Sequence, residues 1–228
     1  MEMPLHRHPC HQGVEIVTRT SSFMTAIIAA CAAALPNLPA AAADNGNMIS
    51  TSQVRAFPAE AGGPMTPVDG SSFLMRTSNG VAFSLDTRAL EPDVAYTAWW
   101  VVFNAPEQCA TPYACGAVDL DNAAVEPGVL FAAGRVADAF GQARFVASID
   151  YGDVPNGEDQ VPNPERAHAI AADAEIHIVV RDHGTALNDA DAREIQLATF
   201  NGGCAEGCRN EQASVHRSPL APATDSQS

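Results

Sequence analysis

The 228-residue chain contains no lysine; all twelve of its basic residues are arginine. That absence removes Schiff-base chemistry and any lysine general base. Positive charge of every kind is scarce, with 12 basic residues against 27 acidic ones and a net charge of −15. Such a surface repels phosphate backbones and anionic lipid, so nucleic acid is excluded as a partner. Long hydrophobic runs are also missing. The longest, Phe23 to Leu35, falls short of the roughly 20 residues needed to cross a bilayer, so no transmembrane segment is expected. G-x-S-x-G, H-E-x-x-H and the P-loop are absent, which leaves the common serine-hydrolase, zinc-protease and nucleotide signatures unfilled.

Aromatic residues make up only 6% of the chain, yet both tryptophans and two of the three tyrosines sit in Ala95–Cys115, AYTAWWVVFNAPEQCATPYAC. Side chains alternate along a strand. One face would carry Tyr96, Ala98, Trp100 and Val102, and the other Thr97, Trp99, Val101 and Phe103. Apolar character on both faces marks a central, doubly buried strand rather than an edge. Asn104 and Pro106 stop the run too early for a buried helix.

Residues 1–43 read as an export signal. Arg19 precedes the apolar run, and Ala40–Ala43 offers a small-residue cleavage site before Asp44. The stretch before Arg19, with His6, His8 and His11, fits an upstream start codon. Ile28-Ala29-Ala30-Cys31 is a competing reading, a lipobox that would put a lipid anchor on Cys31. Either way the protein is expected to be exported, to the periplasm or beyond the cell. Residues 44–71, rich in Gly, Pro, Ala and Ser, read as a flexible lead-in with at most a short strand at Gln53–Phe57. A folded domain spans 72–217, and 218–228 reads as a disordered tail.

Four cysteines remain in the mature region, Cys109, Cys115, Cys204 and Cys208. An even number in an exported chain implies disulfides, with three connectivities open. Glycine- and proline-shaped loops favour pairing neighbours, Cys109 with Cys115 and Cys204 with Cys208. A four-cysteine zinc site is the alternative, though only the second pair has zinc-knuckle spacing.

Turn signals divide the domain into strands. Ser72–Arg76 and Val81–Leu85 flank Asn79-Gly80, which reads as a type I′ hairpin with positive φ at both positions. Val129–Val136 and Ala143–Asp150 read as a second hairpin turned by Asp138 and Gly141. Ala174–Asp182, Ile195–Phe200 and Gln212–Arg217 complete the set, with one helical turn at Asn188–Glu194. The expectation is all-β: an antiparallel β-sandwich of about eight strands, stabilised by disulfides.

Chemistry-bearing residues concentrate in AEIHIVVRDHG. Glu175, His177, Arg181 and His183 share the outward face of one strand and form the candidate binding face, or else an ordinary solvated one. His177 and His183 are about 20 Å apart along a strand, beyond the span of one ion. A metal-dependent hydrolase would therefore need His177, His183 or His216 with loop carboxylates. Asp119-Leu-Asp121-Asn122 and the Asp150–Asp159 loop gather oxygens of the kind calcium takes, without the spacing of a calcium loop. No catalytic residue and no cofactor is predicted, with calcium and zinc the only metals to weigh. A protein or glycan partner is left open.

The segments AYTAWWVVFN, AEIHIVVRDHG and TFNGGC resemble a family of exported bacterial β-sandwich proteins with no known activity. The resemblance runs from Phe73 to Arg217 and implies an exported binding or structural module with no assigned site residues. A fainter likeness is to the CHRD-type sandwich, similar in topology to copper–zinc superoxide dismutase. The H-x-H copper ligands of that enzyme have no counterpart in 72–217, so redox activity is not implied.

Overall fold

The computed structural model describes residues 47–59, 63–155, 161–163, 167–204 and 208–222. The expected signal 1–43 with His6, His8, His11 and Cys31, and residues 223–228 of the tail, lie outside them. Eight strands are present: β1 (Met48–Ala56), β2 (Thr66–Arg76), β3 (Gly80–Thr87), β4 (Val94–Phe103), β5 (Pro127–Val136), β6 (Ala143–Asp150), β7 (Glu175–Thr185) and β8 (Arg209–His216). One α-helix, α1 (Ala190–Ala198), precedes β8, and three short 3-10 turns fill the β4–β5 connection. The strands form one sheet in the order β5-β4-β7-β8-β1-β2-β3-β6, antiparallel throughout. The all-β, antiparallel, eight-stranded and disulfide-bonded expectation holds.

The sheet folds over its own core. β3 and β4 are separated by four strands in the sheet order, yet Phe83 and Trp100 meet edge to face with ring centroids 4.7 Å apart. Around them pack Val54, Leu74, Leu85, Leu130, Phe145, Ile176, Ile178 and Val180. The two edge strands, β5 and β6, have no ladder between them, and a cleft of about 380 Å³ beside Trp100 is lined by Phe131, Ala147 and Ile149. β4 lies between β5 and β7 with both faces covered, as its double apolar pattern requires. Trp99, on the other face, packs against Phe131 and Phe200.

Four local expectations need correction. The segment Ile195–Phe200 is not a strand, because its first residues belong to α1, whose first turn is capped by Asp189 Oδ1 accepting from Ala192 N at 2.9 Å. The eighth strand is instead β1, inside the region read as a flexible lead-in. Its inward positions Ser50 and Ser52 are polar, so it lacks the apolar alternation that betrays a half-buried strand. The Asn79-Gly80 hairpin forms, but neither residue has positive φ. The turn residues are Ser78 and Asn79, closed by Thr77 N donating to Gly80 O at 2.9 Å, and the Thr77 hydroxyl accepts from Asn79 N and Gly80 N. Finally, β5 and β6 are not a hairpin, since β5 pairs with β4 and β6 with β3. The Asp138–Gln142 turn docks on the β3–β4 connection, where Leu90 N donates to Gly141 O at 3.1 Å. Gly141 has φ +70°, and a Cβ there would collide with Leu90 O. The turn thus carries the chain from one sheet edge to the other.

Candidate functional site

The sequence directs attention to the outer face of β7, where Glu175, His177, Arg181 and His183 alternate with the core residues Ile176, Ile178 and Val180. That face is not solvated. The loop after β4 covers one end, and α1 with the loop leading to β8 covers the other.

At the first end, Glu175 is fully buried. A buried carboxylate needs partners for its lone pairs. Oε1 accepts from Cys115 N at 3.0 Å and from His177 Nε2 at 2.9 Å, and Arg217 Nη1 reaches Oε2 at 3.2 Å. Arg217 also donates to Tyr113 O. Glu175 therefore ties β7, the chain just after β8 and the disulfide-closed loop together. That disulfide, Cys109–Cys115, is buried against Phe103 and Val125. His177 lies beside Phe103, ring centroids 5.1 Å apart.

At the other end, His183 is 1% exposed and sits in a linear relay. Its Nδ1 is 2.7 Å from Gly202 O. A carbonyl only accepts, so Nδ1 carries the proton. In the neutral ring Nε2 then accepts from the Thr97 hydroxyl at 2.7 Å, and Thr97 Oγ1 accepts from Trp99 Nε1, also at 2.7 Å. Burial lowers the pKa of His183 from its ordinary value, against a smaller opposing effect of the Gly202 bond, which keeps the ring neutral. Gln196 of α1 completes the clasp, its amide donating to His183 O and Thr185 O at 3.0 Å. Gly203 has φ +80°, and a Cβ there would meet Gln196 at 2.7 Å, so a glycine is needed where the loop crosses the helix. The second disulfide, Cys204–Cys208, lies directly above, with Cys208 Sγ 3.2 Å and Cys204 Sγ 3.8 Å from His183 Nδ1.

Between the two ends, Arg181 donates to Phe200 O, Asn210 Oδ1 and Asn201 Oδ1 and stacks 4.1 Å over the Phe200 ring. Burial lowers its pKa. Each candidate on this face thus has internal partners, and the four do not converge on one point.

His216 faces the opposite way, into the sheet. Its Nδ1 is 2.9 Å from Ser50 Oγ and its Nε2 2.9 Å from Ser72 Oγ. Burial, reinforced by the nearby Arg76 charge, lowers its pKa to about 4. It is therefore not placed to share an ion with His177 or His183. The first oxygen cluster is likewise occupied: Asp119 is buried, with Oδ1 accepting from Ala110 N and Oδ2 from Gly116 N, both at 2.7 Å. Residues 156–160 of the second cluster lie outside the described residues. A cleft of about 590 Å³ is lined by Asp69, Asp86, Asp138, Arg88 and Arg144 among others, acidic and basic groups mixed.

Sequence reasoning missed Thr97, Gln196, Arg217, Ser50 and Ser72. Thr97 had a signal: it is a polar residue in an otherwise apolar doubly buried strand, which demands a buried partner.

No protein-family model matches this chain, and neither curated proteins nor solved structures give a match. The fold and geometry define a class, an all-β disulfide-bonded domain. Among the described residues no helix is long and apolar enough to cross a membrane.

Proposed function

We propose that this chain is an exported, non-catalytic β module of the cell envelope or extracellular space, one of the family its AYTAWWVVFN, AEIHIVVRDHG and TFNGGC segments resemble. The observation that carries this reading is the commitment of Glu175, His177, Arg181 and His183 to internal bonds that fasten two disulfide-closed loops to β7. Groups held this way stabilise a scaffold and have no free valence for a substrate. Two local disulfides suit an oxidising compartment, where small bridges persist. The acidic surface keeps such a module soluble and away from anionic membranes. Its partner is a protein or a glycan.

Fractionation of cells expressing the full chain, with thiol alkylation before and after reduction, tests the reading. The protein should be found outside the cytoplasm, with Cys109, Cys115, Cys204 and Cys208 alkylated only after reduction. Cytoplasmic protein with freely alkylated thiols would overturn it.

A further inference from the structure

The two disulfides are not equivalent. Cys109 and Cys115 are 5% and 8% exposed, packed among Phe103, Val125 and Leu120. Cys204 and Cys208 are half-buried, and Cys204 lines a cleft of about 310 Å³ with Asp182, His183, Gly184, Gly203 and Arg209. The second bridge is the more accessible of the two to a reductant. Beneath the second bridge, the two sulfurs and an imidazole nitrogen of His183 all lie within 4.8 Å of one another.

We propose that the reduced form of Cys204 and Cys208, with His183, is a Zn²⁺ site, so that this end of β7 is a redox-gated metal site. The dimensions fit. Zn–S bonds of about 2.3 Å and Zn–N bonds of about 2.0–2.1 Å at tetrahedral angles separate sulfur from nitrogen by about 3.5 Å. The observed Sγ–Nδ1 distances of 3.2 and 3.8 Å bracket that value. The C-x₃-C spacing is that of a zinc knuckle, and the cleft admits water as a fourth ligand. A support for the ligating ring is already built. To bind through Nδ1 the neutral imidazole gives up its bond to Gly202 O and carries its proton on Nε2, and Thr97, its hydroxyl hydrogen turned away from the ring, accepts from Nε2 across 2.7 Å. That oxygen has two lone pairs, only one of them used by Trp99 Nε1. Outer partners of this kind orient histidine ligands.

The gating step balances with a dithiol reductant. One dithiol gives two electrons and two protons to the Cys204–Cys208 bond and becomes a disulfide itself. Zn²⁺ then displaces one proton from each thiol, releasing two. While the bridge is intact neither sulfur is a thiolate, and thiolate is the ligand form. The inference does not depend on export or on the absence of catalysis, and the alkylation experiment above leaves it untouched.

The test uses the exported protein, from which residues 1–43 with Cys10, Cys31 and the N-terminal histidines have been removed, oxidised or reduced with a phosphine. Zn²⁺ uptake is read by competition with a chromophoric chelator, and Co²⁺ serves as a spectroscopic probe. The oxidised protein should take up no metal. The reduced protein should bind one ion per chain, with sulfur-to-cobalt charge-transfer and tetrahedral ligand-field bands, and Zn²⁺ should raise its melting temperature. Cys204→Ser/Cys208→Ser should abolish the bands and the uptake, while Cys109→Ser/Cys115→Ser keeps the bands. Thr97→Val should weaken binding about 10–100-fold, as loss of an outer partner does, with Thr97→Ser restoring it. Absence of thiolate bands in the reduced wild type would overturn the proposal without recourse to any variant. So would uptake that survives the Cys204→Ser/Cys208→Ser change.

Discussion

Acidification should loosen this fold through His216. The ring is buried between Ser50 and Ser72, and its pKa falls from 6.5 to about 4. Unfolded, the imidazole binds its proton near the ordinary value of about 6.5. Between these two values the unfolded chain holds a proton that the folded protein lacks. Stability therefore rises with pH in that window and is lost as pH falls. At about 1.36 kcal/mol for each tenfold change in proton affinity, the complete loss below pH about 4 is about 3 kcal/mol. About 2 kcal/mol of it should disappear between pH about 7 and about 5, a large share of the 5–15 kcal/mol typical of a domain. His183, whose pKa is lowered chiefly by burial, acts with the same sign. Glu211, whose carboxyl is pushed up by burial, acts oppositely, but equally in any His216 variant. Urea unfolding of wild type and His216→Gln at both pH values isolates the effect, because glutamine can bond both serines and cannot titrate. The wild type should lose about 2 kcal/mol more than the variant on acidification. Parallel losses in the two proteins would refute the reasoning.

Two substitutions probe the rest of the fold. Trp100→Ala removes the ring that joins β4 to Phe83 across the core and should cost about 3–5 kcal/mol, read as a fall in urea midpoint; a mild effect would mean that β4 is not the centre of the fold. Glu175→Ala leaves Cys115 N, His177 and Arg217 without their shared acceptor and should cost about 3–5 kcal/mol, with Glu175→Gln intermediate in the same unfolding assay; a loss below about 0.5 kcal/mol, the scale of surface changes, would mean that the carboxylate is dispensable.

The parts of the fold legible in the sequence were those built on apolar alternation. AYTAWWVVFN announced a doubly covered strand because both of its faces are apolar, and Ile176, Ile178 and Val180 marked the inward face of β7. Of β1 only the end was legible, as the short strand at Gln53–Phe57; its first half was not, because Ser50 and Ser52 occupy positions where a strand signal needs apolar side chains, and Ser50 bonds His216, a partner 166 residues away. The first turn of α1 was legible at Asn188–Glu194, but its second half was not, because Ile195 and Leu197 alternate as in a strand, and only the cap at Asp189 and the long-range grip of Gln196 on His183 O decide otherwise. Glu175, His177, Arg181 and His183 share the side of β7 opposite Ile176, Ile178 and Val180, as the alternation along the strand indicated. Its burial was not legible, since the loops that cover it are held there by bonds between residues far apart in sequence: Cys115 N to Glu175, Arg217 to Tyr113 O and His183 to Gly202 O. The β5–β6 turn reads locally as a hairpin, and only the curl of the whole sheet places its arms on opposite edges.

The central claim is that the polar residues of β7 are internal anchors of the oxidised protein and not an open site. Long-range ¹H–¹⁵N correlation spectra of the histidine rings, followed through an acid titration with and without Zn²⁺, test it most directly. The account predicts His183 as the neutral Nδ1–H tautomer, charging only below the ordinary histidine range, with no ring of His177, His183 or His216 moved by the metal. Joint zinc-dependent shifts of two of these rings in the oxidised protein, or a His183 that titrates like an exposed imidazole, would contradict it.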